Sequence, residues 1–315
     1  MWVLDADASS GYPGDVGGSL ISGDADGYLV GNRIKSIPLV GDAQADVVVE
    51  CGRDVDGTPE AVCVTTGPVH ADAKVGDSDI IIDGDHLGSA FAGPDVDGDG
   101  SPDLVVGADG AHDEAGAVYL APGPLESGHF DPSVFVQEWT GENSGDWLGA
   151  KLFTSDLDGD GLQEILADAM AWPGQERRGR LYALDTTVGD VRDSPLIVDG
   201  DPGLQHLGMA AAAADLDGDG IVDLAVGAPG LATLDPEVRG RVLVFYGPVA
   251  GHLGSEDAGR IFSGTEPGDQ TGGAIRAGDV DGDGAVDLVV GASYADGARL
   301  DSGRIYILEG PITRW

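Results

Sequence analysis

Short runs of apolar residues, separated by polar and glycine-rich turns, recur along the chain. One unit contains "SAFAGP", an acidic loop, "DLVVG", a turn, "AVYLAPG" and a last run "SVFVQEW". Runs of about four to eight such residues bounded by turn residues are typical of β-strands. The pattern therefore predicts four short strands per unit, antiparallel and joined by tight turns.

Four units of this kind follow one another, and each begins at a glycine seven residues before an acidic loop. The glycine and the first loop residue are Gly88 and Asp95, Gly149 and Asp156, Gly208 and Asp215, and Gly272 and Asp279. Third runs such as "RLYALDT", "RVLVFYG" and "RIYILEG" and fourth runs such as "PLIVDG" and "GRIFSG" keep the same order. Four-stranded units repeated at this spacing are typical of a β-propeller.

A weaker fifth copy begins at Gly31. Its strand pattern survives in "LVGDAQADVVVECG", "EAVCVTTGP" and "DIIIDG". Its loop does not, because Pro38 and Val40 occupy the first and third positions, while Asp42 and Asp46 keep the fifth and ninth. This copy is expected to form a blade that binds no metal.

The repeats predict an all-β fold, a single β-propeller domain over residues 1–315 with five four-stranded antiparallel blades. The blades begin near residues 28, 87, 148, 207 and 271. The last copy has three runs, and "GGSLISGDADG" near the N-terminus parallels the fourth-strand segment "SDIIIDGDHLG". Residues 1–27 are therefore predicted to close the ring and to cover two open sheet edges. The alternative is an arc of a larger propeller.

Charge narrows the range of partners. The chain has 56 acidic and 16 basic residues and a formal net charge of −40. Nucleic acid and anionic membranes are thus excluded as expected partners. No apolar stretch approaches the ~20 residues that a membrane span needs. "MWVLDADASS" shows no signal-peptide pattern.

The two cysteines, Cys51 and Cys63, lie in one short segment. A local disulfide and a pair of small apolar strand residues are both compatible with this spacing.

The acidic loops place carboxylates at positions one, three, five and nine, with the backbone carbonyl of position seven between them. Their two glycines permit the positive φ angles that let a short loop curl inward. Such all-oxygen sites suit Ca²⁺, which takes about six to eight oxygen ligands in flexible geometry. The predicted ligands are Asp95, Asp97, Asp99, Ser101 and Asp103; Asp156, Asp158, Asp160, Leu162 and Glu164; Asp215, Asp217, Asp219, Ile221 and Asp223; and Asp279, Asp281, Asp283, Ala285 and Asp287.

Other interpretations of these loops are weaker. Zinc prefers His or Cys, and none is nearby. Magnesium wants a stricter octahedron and retains more water. A solvated polar turn explains one Asp-Gly loop, but four copies in register favour about four Ca²⁺ ions.

"LG", "DLDGDG" and the second-strand ending "VGAPG", followed by "GRVLVFYG", carry a resemblance that covers nearly the whole chain. The chain resembles the FG-GAP repeats of integrin α-subunit propellers. The resemblance implies calcium in these loops on the lower face, and early blades without metal. It also implies that "WVLDADASS" belongs to an N-terminal segment that helps to close the ring. The chain departs from the usual pattern, with five repeats instead of seven, Leu or Thr for the phenylalanine, and "LADAM" for "VGAP".

Loops at the end opposite the acidic loops gather scarce positive charge. "AWPGQERRG", "LATLDPEVRG" and "YADGARLDSG" contain Arg177, Arg178, Arg239 and Arg299. An acidic ligand at this rim is one hypothesis, since binding residues are often on exposed loops of a rigid scaffold. Screening of neighbouring carboxylates is the alternative.

A varied position precedes each "LG" pair and is expected to form a ring near the channel mouth. Its residues are Leu29, His86, Trp147, His206 and Gln270. Packing of blade against blade is the alternative to binding of a sugar or peptide.

Catalytic motifs are absent: the six histidines show no HExxH spacing, and no serine lies in a G-x-S-x-G turn. The favoured function is a calcium-stabilised, non-enzymatic module for adhesion or protein interaction, extracellular or at the cell surface. Its protein or glycan ligand is expected opposite the calcium loops, near Trp147 and the four arginines. The alternative is a glycan-binding module or a non-catalytic part of a carbohydrate-active enzyme.

Overall fold

A computed structural model describes residues 21–22, 33–41, 44–53, 59–67, 73–173, 176–202, 205–230, 238–296 and 302–314. Within these ranges the regular structure consists mainly of β-strands, arranged in six sheets. Short 3-10 turns lie at Val75–Asp77, Pro132–Val134, Val191–Asp193 and Ser255–Asp257, and one helical turn, α1, lies at Ala111–Glu114.

The strands follow the predicted runs. In chain order they are β1 (Ile21–Ser22), β2 (Ile34–Ile37), β3 (Asp46–Arg53), β4 (Pro59–Thr65), β5 (Ala73–Lys74), β6 (Ile80–Asp83), β7 (Ala90–Ala92), β8 (Leu104–Ala108), β9 (Ala117–Ala121), β10 (Gly128–Phe130), β11 (Gln137–Thr140), β12 (Leu148–Ser155), β13 (Glu164–Ala169), β14 (Arg180–Leu184), β15 (Leu196–Asp199), β16 (Ala210–Ala214), β17 (Asp223–Ala228), β18 (Arg241–Phe245), β19 (Gly251–Leu253), β20 (Arg260–Ser263), β21 (Thr271–Gly278), β22 (Asp287–Ala292) and β23 (Arg304–Leu308).

Five of the sheets correspond to the five sequence copies, and we call them blades 1 to 5. Blade 1 contains β2, β3, β4 and β6, and blade 2 contains β7, β8, β9 and β11. Blade 3 contains β12 to β15, blade 4 contains β16, β17, β18 and β20, and blade 5 contains β21 to β23. Successive strands within each blade are antiparallel, which confirms the all-β fold of antiparallel units.

Two blades gain a fifth strand that the repeat pattern does not predict. β10 pairs in parallel with β6, and β19 pairs in parallel with β15. Each added strand comes from the connection between the third and fourth strands of the following blade. It covers the outer edge of the preceding sheet, where unpaired backbone groups would otherwise remain.

The predicted ring closure is wrong for the residues of that segment that the structure describes. Ile21 and Ser22 pair in parallel with Ala73 and Lys74, not with β23. The rest of the predicted closing segment lies outside the described residues. A short apolar run favours formation of a β-strand. Which strand it pairs with depends on which sheet edge lies nearby in the folded chain.

Adjacent blades share their apolar cores. Val48, Val62 and Val64 of blade 1 belong to one cluster with Leu104 and Val106 of blade 2. Three further clusters join blades 2 and 3, blades 3 and 4, and blades 4 and 5. The flanks that adjacent blades turn towards each other are therefore buried.

Glycine in the second strand permits this close approach. A Cβ atom at Gly107 would lie 2.0 Å from the carbonyl oxygen of Gly149 in the next blade. A Cβ atom at Gly227 would lie 2.0 Å from the carbonyl oxygen of Gly272. At these two junctions the glycine of "VG" leaves room for the backbone of the next blade.

Cys51 and Cys63 form a disulfide between β3 and β4. The structure decides between the two interpretations that the spacing leaves open. The bond links neighbouring strands of blade 1 at the face where Val49 and Ala61 are buried.

Asp168 occupies the glycine position in blade 3. Its side chain is fully buried, and its Oδ1 atom accepts a hydrogen bond from the backbone N–H of Lys151 at 2.5 Å. Its Oδ2 atom has no hydrogen-bond partner in the described part of the chain. Burial raises the pKa of this carboxyl group well above its usual value.

We expect Asp168→Asn to stabilise the protein at pH 7. Because the folded-state pKa is raised, the folded state holds a proton that the unfolded state has lost above about pH 4. The wild type therefore loses stability as pH rises from about 4 towards the folded-state pKa, at about 1.4 kcal/mol per unit of pKa difference. Urea unfolding at pH 4 and pH 7 measures the effect.

The variant should exceed the wild type in stability at pH 7 and match it near pH 4. Asp77→Asn, which alters an exposed carboxylate, is the control and should show no such difference. Equal stability of Asp168→Asn and wild type at both pH values would contradict the assignment of a buried, protonated carboxyl group.

Candidate metal loops and the opposite rim

The acidic loops connect the first and second strands of blades 2 to 5. They follow β7, β12, β16 and β21 and end at or just before β8, β13, β17 and β22. This is the hairpin position that the repeat pattern predicts, and no helix flanks the loops. All four loops therefore lie at the same end of their strands.

Backbone hydrogen bonds fix the shape of each loop. In blade 2 the Asp95 carboxylate accepts the N–H groups of Gly98 and Gly100 at 2.8 and 3.0 Å. Asp97 accepts from Asp99 at 3.0 Å, and Asp99 accepts from Ser101 at 2.7 Å. The same bonds recur in the loops of blades 3, 4 and 5.

The two loop glycines are needed for their backbone angles. Gly98 and Gly100 have φ of 77° and 89°, a region that favours glycine. A Cβ atom at Gly100 would meet no atom within 4 Å, so space is not the constraint. These angles turn the loop so that its carboxylates converge.

The structure brings carboxylates of every loop together. In blade 3, Asp156, Asp158, Asp160 and Glu164 each place one oxygen within 4.8 Å of the others. The corresponding clusters are Asp95, Asp97 and Asp99 in blade 2, Asp215, Asp217 and Asp223 in blade 4, and Asp279, Asp281 and Asp287 in blade 5. Asp103, Asp219 and Asp283 lie outside these clusters, and metal ligation by all of the predicted residues, including the carbonyls of Ser101, Leu162, Ile221 and Ala285, stays a prediction.

Position nine also has a role in the fold. Asp103 is fully buried and accepts the N–H groups of Val96 and Gly123, both at 2.9 Å. Asp223 and Asp287 make equivalent bonds, and Glu164 accepts from Leu157. This carboxylate clamps the loop to the turn that follows the third strand.

In blade 1 the position-nine hydrogen bonds form in a loop that lacks the first and third acidic residues. Asp46 accepts the N–H groups of Leu39 and Gly67 at 2.6 and 2.9 Å, although Pro38 and Val40 replace the acidic positions. Asp42 lies outside the described residues. The clamp therefore forms without an acidic cluster.

The pKa values of the position-nine carboxyl groups depend on their burial and their hydrogen bonds. Burial raises the pKa of Asp103, Glu164 and Asp223, and nearby loop carboxylates add to the rise. At Asp287, hydrogen bonds from the backbone of Gly310 and Val280 lower the pKa. A cation in the loop would favour the ionised form of all four groups.

The ion pairs identified in the described part of the chain do not include a loop carboxylate. Among the described residues, the ion pairs of Arg178, Arg180, Arg192 and the histidines all involve carboxylates outside the loops. Carboxylate oxygens clustered without nitrogen or sulfur donors fit a hard cation such as Ca²⁺. The residues present therefore fit the predicted metal.

The predicted rim lies at the other end of the strands. Leu148, Ala169, Arg180 and Asp199 are paired in register across blade 3, far along the strands from the acidic loop. Trp147, which precedes Leu148, and the loop between β13 and β14 therefore share that end. We call this end the opposite rim.

Of the predicted rim residues, the structure brings Trp147 and Arg177 together. The guanidinium carbon of Arg177 lies 5.0 Å from the centroid of the Trp147 ring, within the range of a cation–π contact. Arg178 pairs with Glu176, and Arg239 donates to the carbonyl of Thr265. Arg299 and Leu29 lie outside the described residues.

The residues before the Leu-Gly or Thr-Gly pair lie at junctions between blades. His86, Trp147, His206 and Gln270 all have positive φ, between 54° and 61°. His206 is 2% exposed, and its backbone N–H donates to the backbone carbonyl of Arg177 at 3.0 Å. Burial, with a contribution from Arg177, lowers the pKa of His206 to about 4. At His206 this supports packing between blades.

A buried polar cluster around Arg180 escaped the sequence analysis. The Arg180 Nε atom donates to Asp199 at 2.5 Å, and its Nη1 atom donates to Glu142. The Tyr182 hydroxyl donates to Glu142 at 2.6 Å, and Arg180 lies 3.5 Å from the Trp172 ring centroid. The arginine itself recurs as "GR" before three of the third strands, but its partners come from separate segments that only folding brings together.

The sequence profile of the FG-GAP repeat matches residues 87–120, 207–245 and 271–308. These three segments carry the FG-GAP repeat. The matched segments begin at or just before the first strand of blades 2, 4 and 5 and extend into the third. They include three of the four acidic loops.

Curated relatives include integrins. The chain is 29% identical to integrin alpha-PS2 of Drosophila melanogaster over 254 residues, covering 73% of this chain and 17% of that protein. It is 32% identical to phosphatidylinositol-glycan-specific phospholipase D of Mus musculus, covering 50% of this chain and 20% of that protein. The chain therefore spans about a fifth of the length of these relatives.

A solved structure of a GH43 beta-xylosidase/alpha-arabinofuranosidase from a compost microbial metagenome covers 87% of this chain and 89% of its own at 13% identity. Its TM-score of 0.35 is too low to support an argument about fold or function. No helix in the described ranges is long and apolar enough to cross a membrane.

We expect Asp217→Asn to remove one bound calcium ion per chain. Asp217 belongs to the acidic cluster of blade 4, and the amide would withdraw one charge while keeping the side-chain shape. Metal analysis after dialysis against calcium buffer measures the loss, with about four ions per chain expected for the wild type.

Two further variants test the distinction between ligand and clamp. Asp193→Asn, an exposed carboxylate outside the loops, should leave both calcium content and melting temperature unchanged. Asp46→Asn should keep the calcium content but lower stability by about 1–3 kcal/mol, because the amide has only one oxygen, so the N–H group of either Leu39 or Gly67 loses its acceptor. An unaltered ion count in Asp217→Asn would contradict the loop assignment.

Proposed function

We propose that this FG-GAP repeat protein is a calcium-stabilised module for adhesion or protein interaction outside the cell. The observation that supports it best is the set of four acidic clusters in equivalent hairpins, with no cationic side chain paired to them in the described residues. Four equivalent copies fit a repeated structural ion better than one active site. The proposed metal is Ca²⁺, about four ions per chain.

Bound calcium would stabilise the folded state by offsetting the repulsion between the loop carboxylates. Each loop holds four carboxylates, and only the position-nine group is deeply buried. An ion bound only to the folded state stabilises it by about 2.7 kcal/mol when its free concentration is 100-fold above Kd. Extracellular calcium modules typically bind at about 10⁻⁴–10⁻³ M, so such sites would fill outside a cell and empty in cytosol.

The disulfide supports the same location. Disulfides such as Cys51–Cys63 persist mainly in oxidising compartments, including the extracellular space. Similarity to proteins named as integrins agrees with a cell-surface role, although the chain spans only 17% of integrin alpha-PS2. The activity of the whole relatives is not transferred with these repeats.

We place the ligand at the opposite rim. The acidic-loop end is built of short, similar hairpins dense in negative charge, whereas the opposite rim has loops that differ between blades. There, Trp147 presents an aromatic face beside Arg177, a combination enriched at binding surfaces. Arg178 and Arg239 already have partners within the chain, so Trp147 and Arg177 are the centre of this proposal.

Chelation should lower the melting temperature markedly. Removing four ions would leave 16 loop carboxylates at close range, and their repulsion would return. Scanning calorimetry in 2 mM calcium and in excess EDTA measures the change, and restored calcium should reverse it. A melting temperature indifferent to EDTA would contradict calcium stabilisation.

Arg177→Ala should weaken ligand binding while leaving calcium content and melting temperature nearly unchanged. The change removes the cation beside Trp147 but no blade core contact. Biotinylated chain is applied in parallel to a glycan array and to native cell-surface proteins, which distinguishes a protein ligand from the glycan alternative. Arg260→Ala, near the acidic-loop end of blade 4, is the matched control.

The proposed location is wrong if Arg177→Ala binds as well as the wild type in both assays while Arg260→Ala binds less. The ligand would then lie at the acidic-loop end. Raising the salt concentration should weaken binding if the arginine charge contributes.

A further inference from the structure

The acidic loop of blade 3 differs from the other three at its ninth position. Asp103, Asp223 and Asp287 occupy that position in blades 2, 4 and 5, whereas blade 3 has Glu164. A glutamate side chain is one methylene group longer than that of aspartate, so its carboxylate reaches further from the strand into the loop. The four loops thus share their spacing but not the reach of this group.

Hydrogen bonds show the first consequence of the difference. One carboxylate oxygen of Asp103 accepts from Val96 in the loop, and the other accepts from Gly123 in the turn after β9. Asp223 and Asp287 likewise use one oxygen for the loop and one for the turn after the third strand. In the three aspartate loops, backbone N–H groups therefore engage both oxygens of position nine.

Glu164 makes the bond to the loop alone. Its Oε2 atom accepts from the backbone N–H of Leu157 at 2.7 Å. Thr186 stands two residues after β14, as Gly123 stands two residues after β9, but no hydrogen bond joins Thr186 to Glu164 in the described part of the chain. The Oε1 atom of Glu164 has no backbone donor there, which leaves it available to a cation.

The second consequence is the geometry of the cluster. Four carboxylate oxygens lie within 4.8 Å of one another in blade 3, from Asp156, Asp158, Asp160 and Glu164, whereas each of the other three clusters has three carboxylates. Two oxygens bound to one calcium ion lie at most about 5 Å apart, since each Ca–O distance is about 2.3–2.6 Å. All four carboxylates of blade 3 can therefore share one ion with little movement.

Ligand charge and rigidity favour tighter binding in blade 3. Both properties set the affinity of oxygen-ligated calcium sites. An ion among four converged carboxylates offsets more repulsion than an ion among three. In the other loops a fourth carboxylate must first move into the cluster, namely Asp103 in blade 2, Asp219 in blade 4 and Asp283 in blade 5.

The difference belongs to this chain and not to the repeat. The FG-GAP profile matches the units of blades 2, 4 and 5, but its matched segments leave out residues 121–206, which contain the loop of blade 3. Within that unit Glu164 replaces aspartate, and Asp168 replaces the glycine of the second strand. The unit outside the profile thus has the most complete carboxylate cluster of the four.

We propose that Glu164 makes the loop of blade 3 the tightest calcium site of this chain, so that it fills first and empties last. The proposal rests on the proposed function, since it requires calcium in all four loops. As free calcium falls, the chain would pass through a state that holds one ion, in blade 3. Trp147 and Arg177 lie at the other end of the same blade, so the proposed ligand surface would be on the last blade to lose its ion.

Calcium retention by the full chain tests the order of release. The calcium-loaded chain is dialysed against buffers of stepwise lower free calcium, and bound calcium is counted by atomic emission. Potassium chloride at about 150 mM limits weak binding to exposed carboxylates. We expect the count to fall from about four to one, and the last ion to leave at a free calcium concentration at least about tenfold lower than the others.

Matched variants locate the last ion. Asp158→Asn and Asp217→Asn alter the same third position, in blade 3 and in blade 4. Asp158→Asn should remove the late-release ion, whereas Asp217→Asn should keep it and lose one early ion. Glu164→Asp should keep about four ions but release the blade 3 ion with the others, because the shorter side chain no longer reaches the cluster.

Circular dichroism at each calcium concentration establishes that the variants are folded, and the two asparagine variants decide the outcome if Glu164→Asp is not. Release of all ions together in the wild type would overturn the proposal while leaving calcium stabilisation intact. A late-release ion that persists in folded Asp158→Asn or Glu164→Asp would overturn it as well. A wild type without bound calcium in 2 mM calcium would overturn the proposed function, and this inference with it.

Discussion

Each sheet in this chain has two apolar flanks, and a neighbouring sheet is what covers them at every internal junction. The third-strand side chains point alternately to one flank and the other, so Val242 and Val244 face blade 5 while Leu243 belongs to the core shared with blade 3. This sharing explains why the second strands carry glycine at the contact and why the repeats must follow one another in space. It also explains why the outer flank of blade 5 remains exposed, since no blade follows it in the described residues.

The acidic loops depend on that packing through their ninth position. The buried carboxylate of Asp103 or Asp223 ties the loop to the turn after the third strand, so the blade core positions the loop. The other carboxylates are exposed or partly exposed and accept hydrogen bonds from backbone N–H groups of their own loop. Blade 1 retains the clamp without the cluster, which separates the part of the motif that folds the hairpin from the part proposed to hold the metal.

The opposite rim is less uniform because its loops differ in length and composition. Arginines that look alike in the sequence have different surroundings: Arg177 lies over Trp147, Arg178 pairs with Glu176, and Arg180 is buried among Glu142, Asp199 and Trp172. A buried guanidinium group with partly buried carboxylate partners stabilises its own blade, whereas one beside a partly exposed ring can still meet a ligand. Arg178 and Arg180 thus have carboxylate partners within the chain, whereas Arg177 belongs to the proposed binding surface.

The sequence by itself determined the strand runs, the repeat unit, the hairpin location of the acidic loops and the weak loop of blade 1, because these follow from local periodicity and spacing. It also determined that the carboxylates of each acidic loop converge, since the loop glycines and hydrogen bonds act within nine residues. Only the tertiary structure decided the partner of Ile21 and Ser22, the parallel strands β10 and β19, the Cys51–Cys63 bond and the burial of Asp168. These features depend on which segments lie side by side after folding. Local sequence patterns do not specify which distant segments will become neighbours.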